Sequence, residues 1–161
     1  MLTPIKIYTL FLLVLILTSC GFKPIYKTTE NGVNVGTYNI EFQNDPTYLI
    51  KSKILEVYNS SSSLNLYTIH LSANQGSTPL ITNTDGTVSK YKIEVVISFY
   101  VTKSDSKNKI YEDISRGFAE YLVQTSEIAT DEKRKQAIKI ATQEAVQMMS
   151  IKIQSNIVDS Q

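Results

Sequence analysis

The clearest pattern in the chain is an alternation of period two. Tyr91, Ile93, Val95, Ile97, Phe99 and Val101 stand at every second position, with Lys92, Glu94, Val96, Ser98 and Tyr100 between them. That spacing predicts a strand with one packed and one largely wet face. A slip of one residue would turn all six outward, so its register is strongly specified. Each large apolar side chain fully buried there contributes roughly 1.5–3 kcal/mol gross.

The same reading places the other elements. Tyr38, Ile40 and Phe42 alternate with Asn39 and Glu41, a short first strand. Asn44-Asp45-Pro46 predicts a helix start, with Asp45 as cap and Pro46 in the first turn. Ile50, Ile54 and Val57 form its apolar stripe with Tyr58 alongside, and the serine run Ser60–Ser63 ends it. A second strand is expected from Leu64 to Ala73, with Tyr67, Ile69, Leu71 and Ala73 on one side. Lys103 to Lys109 reads as a hairpin loop, and a fourth strand from Ile110 to Val123 carries apolar residues on both faces, with Gly117 as a candidate bulge. The second face of that strand is therefore expected to be partly covered, by a partner for instance. Thr130 is the expected cap of a last helix running to about Ile153, with Ala137, Ala141, Ala145 and Met148 as its packed stripe.

The order β-α-β-β-β-α predicts an α/β (α+β) two-layer sandwich: a four-stranded mixed sheet with two helices on one face. Strands one and two should be parallel through a crossover, and strands two to four an antiparallel meander. Between strands two and three, Asn74 to Ser89 reads as a long loop holding Gly76, Pro79 and Gly86 and exposing Leu80 and Ile81.

The N-terminal segment changes the picture from fold to address. Lys6 precedes an apolar run, Ile7 to Leu17, of signal-peptide length and too short for a comfortable membrane span. Leu17-Thr18-Ser19-Cys20 then has the pattern of a bacterial lipobox, and Cys20 is the single cysteine of the chain. On this reading residues 1–19 are a cleaved signal peptide, 20–36 a lipidated tether, 37–157 one domain and 158–161 a tail. The alternative is a plain signal peptide or short anchor with an incidental cysteine. One acyl chain binds membranes only marginally, whereas two or more anchor stably, since each buried methylene adds roughly 0.8 kcal/mol. A cysteine consumed by lipid forms no disulfide and offers no thiol, so the fold must rest on its core. Gly21 stands where an aspartate would favour inner-membrane retention, which points to the outer membrane.

Cys20-Gly21-Phe22-Lys23-Pro24-Ile25-Tyr26 resembles the start of mature lipopolysaccharide (LPS)-assembly lipoproteins, the LptE family, which typically read Cys-Gly-Phe-x-Pro-Leu-Tyr. Ile25 replaces the usual leucine. The resemblance covers seven residues, and Phe22 and Tyr26 would equally suit an interfacial tether. It implies the same sandwich fold, a place at the outer membrane facing the periplasm, and a β-barrel LPS translocon partner that the protein plugs and helps to assemble. Leu80, Ile81, Phe22 and Tyr26 are then the expected partner contacts. The resemblance also implies LPS contact. The lipid A phosphates would need cations, for which Lys90 and Lys92, on the wet face of the third strand, and Arg116 on the fourth are the candidates. Solvated strand-face charges are the plainer reading of the same three residues.

Charge and chemistry narrow the classes further. The chain of 161 residues carries 16 basic and 15 acidic side chains, with no basic block or basic helix, so no nucleic-acid partner is expected. His70 is the sole histidine and lacks a His or Cys companion in the sequence, so neither a metal site nor a catalytic base is expected. No glycine-rich phosphate loop appears, no cofactor is implied, and the chain reads as a non-enzyme. The runner-up reading is an auxiliary lipoprotein of an ABC-type lipid transporter.

Overall fold

The computed structural model describes residues 38–58, 66–103, 105 and 108–157. The elements are β1 (Tyr38–Phe42), α1 (Tyr48–Val57), β2 (Tyr67–Thr82), β3 (Val88–Lys103), β4 (Lys109–Leu122) and α2 (Glu127–Ile157). The strands form one sheet in the order β1-β2-β3-β4. β1 runs parallel to β2, and β2, β3 and β4 are successive antiparallel neighbours. This is the expected β-α-β-β-β-α sandwich.

The alternation on β3 is honoured throughout. Ile93, Val95, Ile97, Phe99 and Val101 are buried, and Tyr91 is half-buried against them. Ile69, Leu71 and Ala73 of β2 and Tyr38 of β1 join the same face, onto which Ile50 and Ile54 of α1 and the small-residue stripe of α2 pack. Tyr58, just past α1, bonds Ser150 of α2 at 2.7 Å between hydroxyls, which ties the two helices together. Burial pushes its phenol up to about 12.

Several local expectations are corrected. α1 begins at Tyr48, and Thr47 accepts the first amides through its carbonyl without a side-chain cap; Asp45 instead pairs with Lys51 at 3.6 Å. Tyr58 completes the buried stripe of α1, while Val57 is exposed, because the period of 3.6 carries Ile50 and Ile54 on to 58. α2 starts at Glu127, and Thr130 sits inside its first turn, where Oγ1 accepts the Gln124 N–H at 2.9 Å. In α2 Met149 is fully buried and Met148 is 43% exposed, again the step of four after Ala145.

Asn74 to Ser89 is not a loop. β2 continues to Thr82 and β3 begins at Val88, so the connection is a turn of five residues, Asn83–Thr87. Asp85 accepts the Thr87 N–H at 2.9 Å and its hydroxyl at 2.6 Å, and Gly86 supplies the positive φ of 86° that the turn requires. Polar small residues and Gly76 suggested a loop, yet full pairing with β3 holds them extended. The pairing is irregular at two places near the hairpin end, at Leu80 on β2 and at Ser89 on β3.

Gly117 marks no bulge either; it pairs with Val95 in register. Its reason is the closeness of α2. A Cβ built there would lie 2.0 Å from the Ala141 carbonyl oxygen and 2.6 Å from the Ala145 nitrogen. Helix backbone and strand backbone meet at this point.

α2 also closes the outer edge of β4. Glu144 accepts the Phe118 N–H at 2.7 Å, and Lys152 donates to the Ile114 carbonyl at 2.7 Å. Asp113 receives Lys152 at 2.9 Å, the Ile114 N–H at 2.7 Å and the Tyr111 hydroxyl at 2.8 Å. The Lys152 bond leads in holding its carboxyl down at about 2. A group held low stabilises the fold above its ordinary value near 4 and loses that contribution as pH falls toward 2. About a third of each side chain is open to water, so screening reduces the gain. Asp113→Asn is therefore expected to flatten the parent's stability loss between about pH 4 and 2, read by urea unfolding at successive pH values. An unchanged pH slope would show that other carboxylates carry it.

Candidate functional site: the open sheet face and the hairpin end

Since both helices occupy one face of the sheet, the other stays open among the described residues. Its rows are set by register: Lys90 stands opposite Leu122, Lys92 opposite Glu120, Glu94 opposite Phe118 and Val96 opposite Arg116. Lys90, Lys92 and Arg116 therefore share one face, as the alternation implies. They do not converge on a point. Lys90 pairs with Glu120, Lys92 lies over the Phe118 ring at 4.1 Å from its centre, and Arg116 faces Glu94 at 3.5 Å. Rows four residues apart, as those of Lys92 and Arg116 are, stand about 13 Å apart. An anion on this face would meet a lattice of alternating charge, in which each cation must exchange its present neighbour.

Between these charges runs an apolar row that the sequence signalled only as apolar residues on both faces of one strand. Ile110, Ile114, Phe118 and Leu122 of β4 are all exposed. Ile140, Met148 and Ile151 of α2 are exposed too.

The hairpin end adds to it. Leu80 and Ile81 are exposed, as expected, although on a strand and not on a loop. Register puts Ile81, Lys90 and Leu122 in one cross-strand row. Val123 joins this end through its N–H to the Ser89 carbonyl at 2.9 Å. Nothing in the sequence linked Leu122 and Val123 to Leu80 and Ile81, because the link is a strand pairing across some 40 positions. Cys20, Phe22 and Tyr26 lie outside the described residues.

His70 has companions that the sequence did not show. Its Nδ1 lies 3.0 Å from Glu41 Oε2 and its Nε2 3.0 Å from Thr102 Oγ1, with the Tyr100 ring stacked on it at 4.5 Å. One neutral tautomer satisfies both bonds, donating from Nδ1 and accepting at Nε2. A carboxylate, an imidazole and a hydroxyl in line have the composition of a nucleophile relay. Here the hydroxyl is buried and belongs to a strand paired on both sides. The cluster braces β1, β2 and β3 together. Among the described residues no group of three or more His, Cys, Asp or Glu side chains could hold a metal ion.

No protein-family model matches the sequence, and no curated protein matches it. Solved structures do match in shape. A provisionally described lipoprotein from Caulobacter crescentus superposes with a TM-score of 0.65 at 10% identity, covering 79% of this chain and 94% of that one. Rare lipoprotein B from Shewanella oneidensis gives 0.57 at 14% identity, over 76% of this chain and 97% of that one. A minor lipoprotein from Acinetobacter baumannii gives 0.55 at 13%, over 74% and 90%. At these identities the likeness is one of fold, and the fold is one that bacterial lipoproteins use.

Proposed function

We propose that this chain is an outer-membrane lipoprotein subunit of an LPS translocon, anchored through acylated Cys20. It seats in a β-barrel partner as a plug and assembly aid, receives LPS from the periplasmic side, and carries out no reaction. The observation that carries this reading is an agreement between separate parts of the chain. Residues 17–26 hold a lipobox and a start resembling the LptE family, while residues 38–157 build a sandwich shared with solved lipoproteins, rare lipoprotein B among them. The exposed β4 row and the hairpin end supply the surface for a large partner. Among the described residues no helix is long and apolar enough to cross a membrane.

Detergent extraction of the full-length lipidated protein from its native envelope, followed by mass spectrometry, tests the reading. A stoichiometric outer-membrane β-barrel is the expected companion. An ABC permease in its place would move the protein to the auxiliary class of lipid transporters.

LPS contact is tested separately with a Lys90→Ala, Lys92→Ala, Arg116→Ala triple variant. If these cations meet lipid A phosphates, LPS affinity falls, and falls less steeply with added salt than in the parent. Unchanged affinity and salt dependence would return all three to the solvated face.

A further inference from the structure

The sheet has two edges, and the protein treats them differently. The β4 edge is closed by α2 through Glu144 and Lys152. The other edge is β1, but β1 covers only the first part of β2, from Tyr67 to Leu71.

The last rung is made by a side chain. Asn44 accepts the Ala73 N–H at 3.1 Å through Oδ1 and donates to the Ala73 carbonyl at 3.0 Å through Nδ2. Its amide thus imitates one more residue of a strand, after which the chain departs through Asp45 and Pro46. The Leu71 carbonyl likewise points to this side, where it accepts the Gln43 N–H at 2.8 Å.

Backbone direction alternates along a strand, and the β2–β3 register is unbroken from Tyr67 to Pro79. The N–H and C=O groups of Gln75 and Ser77, and the C=O of Pro79, therefore face the open edge. Pro79 places its missing donor on that same side, where it breaks no bond to β3. The whole segment Asn74 to Thr82 is exposed and holds no charged residue. Natural edges are usually guarded by charge, proline, a bulge, cover or shortness. Here Pro79 and the bulge at Leu80 guard only the far end, and Gln75 to Thr78 are uncharged and uncovered among the described residues, while the β4 edge is stapled.

We propose that the Gln75–Pro79 edge of β2 receives an extended segment of another polypeptide as a fifth strand, continuing the ladder where Asn44 leaves it. Only a second extended backbone offers donors and acceptors at the spacing this row presents. A second copy of this chain fits poorly. Any antiparallel register that pairs both Gln75 and Ser77 with another β2 would drive the copy's Asn83–Thr87 turn against Gln43 and Asn44. The occupant is thus an extended segment free of a bulky hairpin end. Small neighbours, Gly76 and Ser77, leave room for its side chains, and no atom lies within 4 Å of where a Gly76 Cβ would be. The proposal goes beyond the translocon reading and holds for whichever membrane carries the anchor.

The test is site-specific photo-cross-linking in the native envelope with the full-length lipidated protein. Benzoylphenylalanine replaces Asn74, Gly76 and Thr78 one at a time, and the adducts are mapped by mass spectrometry. The expected result is adducts to one polypeptide, at sites that advance by two residues for each two residues along β2. Ser77→Pro removes one edge-facing donor and leaves the β2–β3 ladder intact. It is expected to lower the Gly76 adduct yield about three- to tenfold, the loss of one main-chain bond, with an unchanged circular dichroism spectrum. The mapping itself needs no proline, so if Ser77→Pro fails to fold, the register of the mapped sites still decides. Scattered sites, adducts only to lipid, to a second copy or to this chain's own tether, or no adduct at all would each overturn the proposal.

Discussion

Gly117→Ala is expected to destabilise the fold by about 3 kcal/mol or more, the upper range for overpacking. The added methyl would stand 2.0 Å from the Ala141 carbonyl oxygen and 2.6 Å from the Ala145 nitrogen. Both are main-chain atoms in the middle of a helix, so no rotamer change relieves the overlap. α2 must move away from β4, which loosens Ala137, Ala141 and Ala145 from the sheet and strains the Glu144 and Lys152 bonds to the strand edge. In a domain of this size the loss corresponds to a fall in melting temperature of roughly 10–20 °C. The protein holds its own control. Gly76→Ala meets nothing within 4 Å, has no left-handed backbone to lose, and should be neutral or slightly stabilising. Thermal and urea unfolding of the two variants decide the matter. Equal stabilities would mean that helix and strand are not in backbone contact at Gly117.

The second large effect concerns the anchor. Expressed behind a non-lipoprotein signal peptide and with Cys20→Ser, the protein is expected to leave the membrane fraction and appear in the soluble periplasm. Each acyl methylene contributes roughly 0.8 kcal/mol of membrane binding, so losing all the chains removes far more than any tether aromatic can replace. A foreign signal peptide is needed because the natural leader, if uncleaved, would keep Ile7 to Leu17 in the membrane. Density-gradient fractionation, with palmitate labelling of the parent as companion, reads the result. Retention of the variant in the membrane fraction would sink the lipid-anchor reading and place the attachment in a protein contact.

The fold class was legible because its signals are short-range. Six alternate apolar positions on β3 set its register and inner face, and Ile69, Leu71 and Ala73 declared theirs in the same way. From the strand pattern alone Gly117 reads as a bulge, because the helix residues that exclude its Cβ, Ala141 and Ala145, lie more than 20 residues later in the chain. The loop expected at Asn74–Ser89 failed for the same kind of reason. Gly76 and Pro79 are poor strand formers, and only pairing with β3 overrides that preference.

The candidate site divides similarly. Alternation alone put Lys90 and Lys92 on the wet face, and Leu80 and Ile81 were expected at an exposed place. The engagement of each cation by Glu120, the Phe118 ring or Glu94 depends on cross-strand register, which local periodicity does not contain. The cluster of Glu41, His70 and Thr102 unites three strands, and Asn44 meets Ala73 across 29 positions.

By itself the sequence determined the order of elements, the buried faces of β2 and β3 and the two-layer architecture, because these depend on neighbours in the chain. The tertiary structure alone decided that β2 and β3 extend into a long hairpin, that α2 touches β4 backbone to backbone at Gly117, and that, among the described residues, one sheet edge is stapled while the other stands open. Those features come from residues distant in sequence meeting in space, and backbone groups on an edge carry no mark in the identity of the residues that bear them.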